Sequence, residues 1–170
     1  EELNEKIVIW FISIMHKFLP FAWFKGQCVP FDEAKVSIAT HALHYGTAAF
    51  GGMRAIPDPS NPNNILLFRP DKHAKRLCQS AKYLLTELNE EYVLDSIKRI
   101  LIANSPTKPI YLRPFIYTSD LGIAPRLHDI ETDFLIYGIE LGDYLSPEGV
   151  SCRFSSWTRQ EDCSLPLRGK

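Results

Sequence analysis

Pro109-Ile110-Tyr111-Leu112-Arg113-Pro114-Phe115-Ile116-Tyr117 is the stretch whose reading decides the fold. Side chains of an extended chain point alternately to opposite faces. Ile110, Leu112, Pro114 and Ile116 therefore share one face, and Tyr111, Arg113, Phe115 and Tyr117 the other. The first face suits a strand laid on a core. The second is aromatic with a guanidinium in its middle. Such an arginine is costly to bury unless an anion pairs with it, or unless only its stem is covered while the head snorkels to water. The residues alone leave both readings open. Pro114 has no backbone donor, which predicts an edge or a bulge at that point.

Moving toward the N-terminus, the next informative run is Ala39-Thr40-His41-Ala42-Leu43-His44-Tyr45-Gly46-Thr47-Ala48-Ala49-Phe50-Gly51-Gly52-Met53-Arg54. Its first half carries two histidines and a tyrosine at irregular spacing. Its second half is small and apolar, with adjacent glycines that admit another backbone or a ligand at close range. We expect this run along the wall of a site, with a strand from about Ala48 to Ile56. The three prolines in the next eight residues, 57–64, predict a loop, and Ile65-Leu66-Leu67-Phe68 a returning strand. Further back, Phe21–Phe24 and Gln27–Pro30 flank Lys25-Gly26 as a hairpin, and Val36-Ser37-Ile38 reads as a brief extended piece.

Between these strands and the opening stretch lie two helical patterns. Arg69-Pro70-Asp71 opens the first, with proline in its first turn. Ala74, Leu77, Ala81, Leu84 and Leu88 form its apolar stripe at spacings of three and four. Arg76 borders that stripe, a position usually on the surface. Glu90 to Ala103 forms the second helix, with Val93, Ile97, Ile100 and Leu101 inward, stopped by Asn104 and Pro106. After a loop over 119–125, Phe134 to Leu141 reads as a strand. Gly142, Pro147 and Gly149 mark residues 142–149 as a linker, and Val150 to Trp157 is expected to begin a new strand. No steady strand–helix–strand rhythm is present. Residues 15–141 therefore read as one α+β domain with a mainly antiparallel sheet and flanking helices, and residues 150–170 as the start of a second domain. Residues 1–14 read as an extension outside the fold, or alternatively as a helix docked on its surface.

Composition narrows the function classes. The 170 residues are 45% hydrophobic with a formal net charge of −1, so no basic surface invites nucleic acid or an anionic membrane. The apolar run Ile7–Met15 is too short to span a bilayer, and Glu1, Glu2 and Glu5 make an unsuitable leader for a signal peptide. Cys28, Cys78, Cys152 and Cys163 are far apart, which argues against a disulfide framework or a zinc site and for free thiols in a cytoplasmic protein. His41 and His44 lack a matching carboxylate or cysteine at ligand spacing, so no metal is expected. Gly169-Lys170 ends like a phosphate loop, but Ser164 stands where that motif requires glycine. No G-x-S-x-G elbow supports a serine hydrolase.

Four of these segments, taken together, resemble the branched-chain amino acid aminotransferases, fold-type IV enzymes that use pyridoxal 5′-phosphate (PLP). They are His41 to Arg54, Phe68-Arg69 to Lys75-Arg76-Leu77, Tyr111-Leu112-Arg113-Pro114 and Ser155-Ser156-Trp157. D-amino acid aminotransferase and aminodeoxychorismate lyase share the fold. The Tyr-x-Arg-Pro strand and the His-Ala-Leu-His-Tyr-Gly run look like the branched-chain group. A stand-alone, non-catalytic domain is the rival of a different class.

The resemblance implies transamination of L-leucine, L-isoleucine and L-valine with 2-oxoglutarate. By motif, Lys170 matches the lysine that holds the PLP aldehyde covalently and shuttles the Cα proton, and Arg76 the arginine that grips the phosphate. Tyr111 and Arg113 match residues near the substrate carboxylate, where the arginine lets glutamate enter a pocket otherwise fitted to branched side chains. Tyr45, Phe50, Arg54 and Tyr144 would join them in binding substrate. The loop Leu121–Ala124 resembles one that reaches into a partner subunit's site, which implies a homodimer. Gly51 departs from the Phe-Glu-Gly of many members. The resemblance also implies an α/β-barrel-like large domain after Lys170. The chain is accordingly read as the N-terminal half of such an enzyme, inactive by itself.

Overall fold

The computed structural model describes residues 17–141, 148–158, 161, 163 and 169. The expected extension at 1–14, most of the linker, Tyr144 and Lys170 lie outside the described residues. Strands β1 (Lys17–Phe18), β2 (Phe21–Phe24) and β3 (Gln27–Pro30) come first. A short helix α1 (His41–Tyr45) follows, then β4 (Ala48–Phe50), β5 (Met53–Asp58) and β6 (Asn61–Leu67). Helices α2 (Pro70–Ala81) and α3 (Glu90–Asn104) precede the two long strands β7 (Ile110–Thr118) and β8 (Thr132–Glu140).

These strands form one sheet in the order β3-β2-β8-β7-β5-β6, with β1 beside β8 and β4 beside β7. Every pairing is antiparallel. The α+β reading with a mainly antiparallel sheet is thus what the chain adopts. Both helices cover one face. Ile110, Leu112 and Ile116 of β7 and Ile136 of β8 share a buried cluster with Leu77 of α2 and with Val93, Ile97 and Ile100 of α3. Each such side chain stabilises the fold by about 1.5–3 kcal/mol relative to exposure. α2 also packs on β4, and Ala49 of β4 shares the buried cluster with Ala74 and Ala81 of α2.

Several expectations need correction. Pro114 is neither at an edge nor in a bulge: β7 pairs with β8 in unbroken register from Ile110↔Glu140 to Thr118↔Thr132. The proline is tolerated because its backbone faces the other neighbour. Gly51 N–H donates to the Pro114 carbonyl at 2.8 Å, so only the reciprocal bond is missing. On that side β4 and β5 cross β7 in a single register, from Ala48↔Tyr117 to Ala55↔Ile110. They are separate strands only because the ladder lapses at Gly51-Gly52.

The proline-rich stretch is a hairpin rather than a loop. β5 and β6 are joined by Pro59-Ser60, and the Asp58 carboxylate accepts from Ser60 N at 2.9 Å and from its hydroxyl at 2.6 Å. Pro57 lies beyond the stretch of β5 that pairs with β7, and β6 is an edge strand, so missing donors are tolerated in both. α2 ends earlier than its apolar stripe suggests. Lys82–Leu84 tighten into a 3-10 turn and Leu85 turns left-handed at φ 54, which carries Leu88 off the helix but still onto the core. The expected strand Val150–Trp157 does not form among the described residues: 150–157 enter no ladder with them, and Phe154 and Trp157 are fully or largely exposed. An extended segment without a neighbour leaves its backbone groups to water.

Candidate active site

Among the described residues neither α2 nor α3 covers the other face of the sheet, which is open around Tyr111 and Arg113. The register places Tyr111 beside Arg54 of β5 and Ile139 of β8, and Arg113 beside Tyr137. These residues, with Phe18, Ile56, Leu66 and Phe68 at the margins, line an open cleft of about 1040 Å³. His73, in the second turn of α2, reaches its rim. Arg54 and Arg113 are the charged residues among the described lining, and no carboxylate joins them there. An apolar, aromatic wall carrying two guanidiniums suits an organic anion.

Arg113 is the central group. Its Nη2 donates to the Tyr111 hydroxyl at 3.3 Å. Its guanidinium lies 4.7 Å from the centre of the Phe50 ring and 5.3 Å from that of Tyr111, within range of cation–π attraction. Nε is buried with no hydrogen-bond partner among the described residues. Partial burial works against the charge, yet hydrogen bonding to Tyr111 and the nearness of the Tyr137 and Tyr111 phenols hold its pKa above the ordinary arginine value. The group is a cation with an unspent, desolvated donor. Of the two readings that the strand allowed, snorkelling and anion pairing, the orphaned Nε favours the second.

Tyr111 owes its place to a glycine. A Cβ built on Gly52 would meet the Tyr111 hydroxyl first and would lie 2.7 Å from its Cζ. The phenol therefore occupies the volume that any other residue at 52 would fill.

Of the residues singled out from the sequence, Phe50, Arg54, Tyr111 and Arg113 come together on this face. Tyr45 does not border the cleft within this chain. It sits on α1, packed on the ring of His41 at 4.5 Å between centroids. Arg76 lies half-buried on α2, outside the described lining. No ion pair or side-chain hydrogen bond engages its guanidinium among the described residues, while its carbonyl accepts from the Ser80 hydroxyl at 3.0 Å.

His41 is buried and fully hydrogen-bonded. Nε2–H donates to the Ala124 carbonyl at 2.8 Å, while Nδ1 lies 2.9 Å from the Thr47 hydroxyl and 3.0 Å from that of Thr118. Its backbone N–H donates to Asp120 O at 2.9 Å. The ring ties α1 to the loop over 119–125, a structural duty that spacing alone did not reveal. Tyr137 and Phe18 were also missed. The period-2 alternation of β8 already put Tyr137 on one face with Leu135 and Ile139. Which face met Arg113 required the β7–β8 register.

No family model matches the chain. The probable branched-chain-amino-acid aminotransferase of Synechocystis sp. is 60% identical over 156 residues, which is 92% of this chain and 51% of that protein. Among solved structures, the branched-chain aminotransferase of Thermoproteus uzoniensis with norvaline superposes with a TM-score of 0.79 at 28% identity, covering 89% of this chain and 50% of that one. The branched-chain amino acid aminotransferase of Escherichia coli gives 0.75 at 30%, covering 84% of this chain and 48% of that one. The chain thus spans about half the length of the relatives it matches. Over that half, the chain is similar in sequence and in fold to the branched-chain-amino-acid aminotransferases.

Proposed function

We propose that the chain forms the substrate-recognising part of an enzyme that transaminates L-leucine, L-isoleucine and L-valine with 2-oxoglutarate, giving branched 2-oxo acids and L-glutamate. The single observation that carries this reading is Arg113: a cation held against Phe50 and Tyr111, with a buried Nε–H that nothing among the described residues takes. The cleft must accept two unlike side chains in turn. The apolar walls from Ile56, Leu66 and Ile139 suit an isobutyl group, and Arg113 suits the distal carboxylate of glutamate. Arg54 stands across the pair from Tyr111 and adds a second positive charge.

PLP is the proposed cofactor, and the donor set is compatible with it. Arg76 offers a guanidinium that no described carboxylate neutralises, fit for a phosphate. The cleft lining is cationic and aromatic, fit for a phosphorylated pyridine bearing an anionic substrate. When bound, PLP supplies the electron sink that acidifies the Cα–H of an amino acid. Lys170 would hold the cofactor aldehyde and carry the Cα proton on its ε-amine, work that an amine of lowered pKa does well. Tyr45 and Tyr144 would complete substrate binding.

The proposed organisation is a small domain over 15–141, a linker over 142–149 and the start of a PLP-binding domain over 150–170. A homodimer in the cytoplasm completes the proposal. Its support is the loop held by His41, which leaves Leu121 and Ile123 exposed, and cysteines that are not joined in disulfides. Among the described residues no helix is long and apolar enough to cross a membrane.

The test is an amino-acid panel with the PLP-loaded enzyme. Activity with the three L-branched-chain substrates and 2-oxoglutarate supports the reading, and preference for D-amino acids overturns it. Added PLP should give a visible absorbance band that disappears in Lys170→Ala.

A further inference from the structure

Gly52 has a task that its neighbour Gly51 does not share. It belongs to the cleft-facing set of the β4–β5 line, opposite Arg113 and diagonal to Tyr111. The three atoms nearest to a Cβ at this position all belong to Tyr111, with Cζ at 2.7 Å and Cε2 at 2.8 Å behind the hydroxyl. A Cβ does not come that close to a ring carbon, so an added methyl forces the phenol to move. Gly51 points to the helix side. Its Cβ would meet Pro114 Cγ at 3.2 Å, a contact that a shift of a few tenths of an ångström relieves.

Displacing Tyr111 has a consequence at Arg113. Tyr111 accepts a hydrogen bond from that guanidinium and is one of the two rings, with Phe50, over which it lies, while Tyr137 stands across the register. The free rotamers of an arginine are many, and a head held at one place over two rings is held by those contacts. We infer that Gly52 is a positioning residue that sets the cleft's selectivity between acidic and branched side chains, acting through Tyr111 on the Arg113 head. The selectivity part rests on the reading above, in which Arg113 receives the distal carboxylate of glutamate.

The experiment compares Gly52→Ala, Gly51→Ala, Tyr111→Ala and Gly52→Ala/Tyr111→Ala. The first readout needs no activity: the Arg113 Nε–H resonance in ¹H–¹⁵N spectra, which the Phe50 and Tyr111 rings shield. It should move toward an unstacked arginine in Gly52→Ala and stay in place in Gly51→Ala. The second is kcat/KM for L-glutamate over that for L-leucine in the PLP-loaded enzyme. Losing a charge-assisted contact should lower this ratio by about tenfold or more in Gly52→Ala, chiefly through KM for glutamate. Once Tyr111 is alanine, adding Gly52→Ala should change the ratio no further, because the clash is gone.

An unmoved Arg113 resonance in Gly52→Ala, or losses that simply add in the double variant, overturns the inference. If Gly52→Ala fails to fold, the double variant should recover folding, and its failure to do so counts against the clash. A parent enzyme that takes neither glutamate nor leucine removes the functional reading and the selectivity claim with it. The resonance still decides the placement of Arg113, so the two failures are told apart.

Discussion

At the scale of the residue, Arg113 and His41 show two ways to bury a polar head. His41 uses both ring nitrogens within the chain. Its replacement by alanine leaves the Ala124 carbonyl with the Arg126 N–H alone and the Thr47–Thr118 pair without its third member. His41→Ala is expected to cost about 2–3 kcal/mol, read as a lowered denaturation midpoint, and to speed amide exchange in residues 119–125. Arg113 keeps a donor in reserve, so its removal should act on ligands more than on folding. Arg113→Ala should lower kcat/KM by about ten- to a hundredfold with glutamate, and by clearly less with leucine. Equal losses would remove its assigned role. Tyr117 offers a pH test. Burial, reinforced by the Asp133 carboxylate, pushes its phenol from 10.0 up to about 12. The folded state therefore holds that proton more tightly than the unfolded chain does. The resulting stability is complete below pH 10 and is lost as pH rises toward about 12. Absorbance of tyrosinate should show one late-ionising phenol, absent in Tyr117→Phe.

At the scale of the element, local signals were good where a segment's own residues decide its state. Asn89 accepts from Tyr92 N–H at 3.0 Å at the start of α3, and Asn89→Ala should cost about 1 kcal/mol in a chemical melt. The two helices were legible from their stripes, and the alternation of β7 divided its residues correctly between the two faces of the sheet. Legibility failed where a neighbour in space made the decision. Pro57 and Pro62 look like strand breakers until one sees that each lacks a partner on one side. Pro114 looks like an edge residue until Gly51 is found supplying the one bond that remains. α1 is a single turn, too short to show a period, and β1 is two residues paired with Glu140 and Ile139, more than a hundred positions away. Within the site, Tyr111 and Arg113 stood out as an aromatic–cation pair in the chain itself. Gly52 was noticed as permissive, but its target, the Tyr111 phenol, follows only from the β5–β7 register.

At the scale of the whole molecule, the sheet has one covered face and one open face. The open one exposes Phe68 at 82% and Leu66 at 49%, more apolar surface than an isolated domain usually leaves to water. The chain by itself should bind a hydrophobic dye such as ANS, and Phe68→Ser should weaken the signal without lowering the melting temperature by more than a few degrees. Ile123, 91% exposed on a loop anchored at both Asp120 and Ala124, is the residue to mutate for the proposed dimer. Ile123→Asp should shift sedimentation toward monomer, and an unchanged profile would count against that loop as the contact.

The single register that β7 keeps with each neighbour limits how this pocket can vary. One face of that strand belongs to the core and the other to the ligand, so inserting or deleting a single residue would exchange the two sets. Leu112 would swing into the cleft, and Arg113 would be driven beneath the helices. The walls can be retuned by exchanging side chains one at a time, but their length is not free to change.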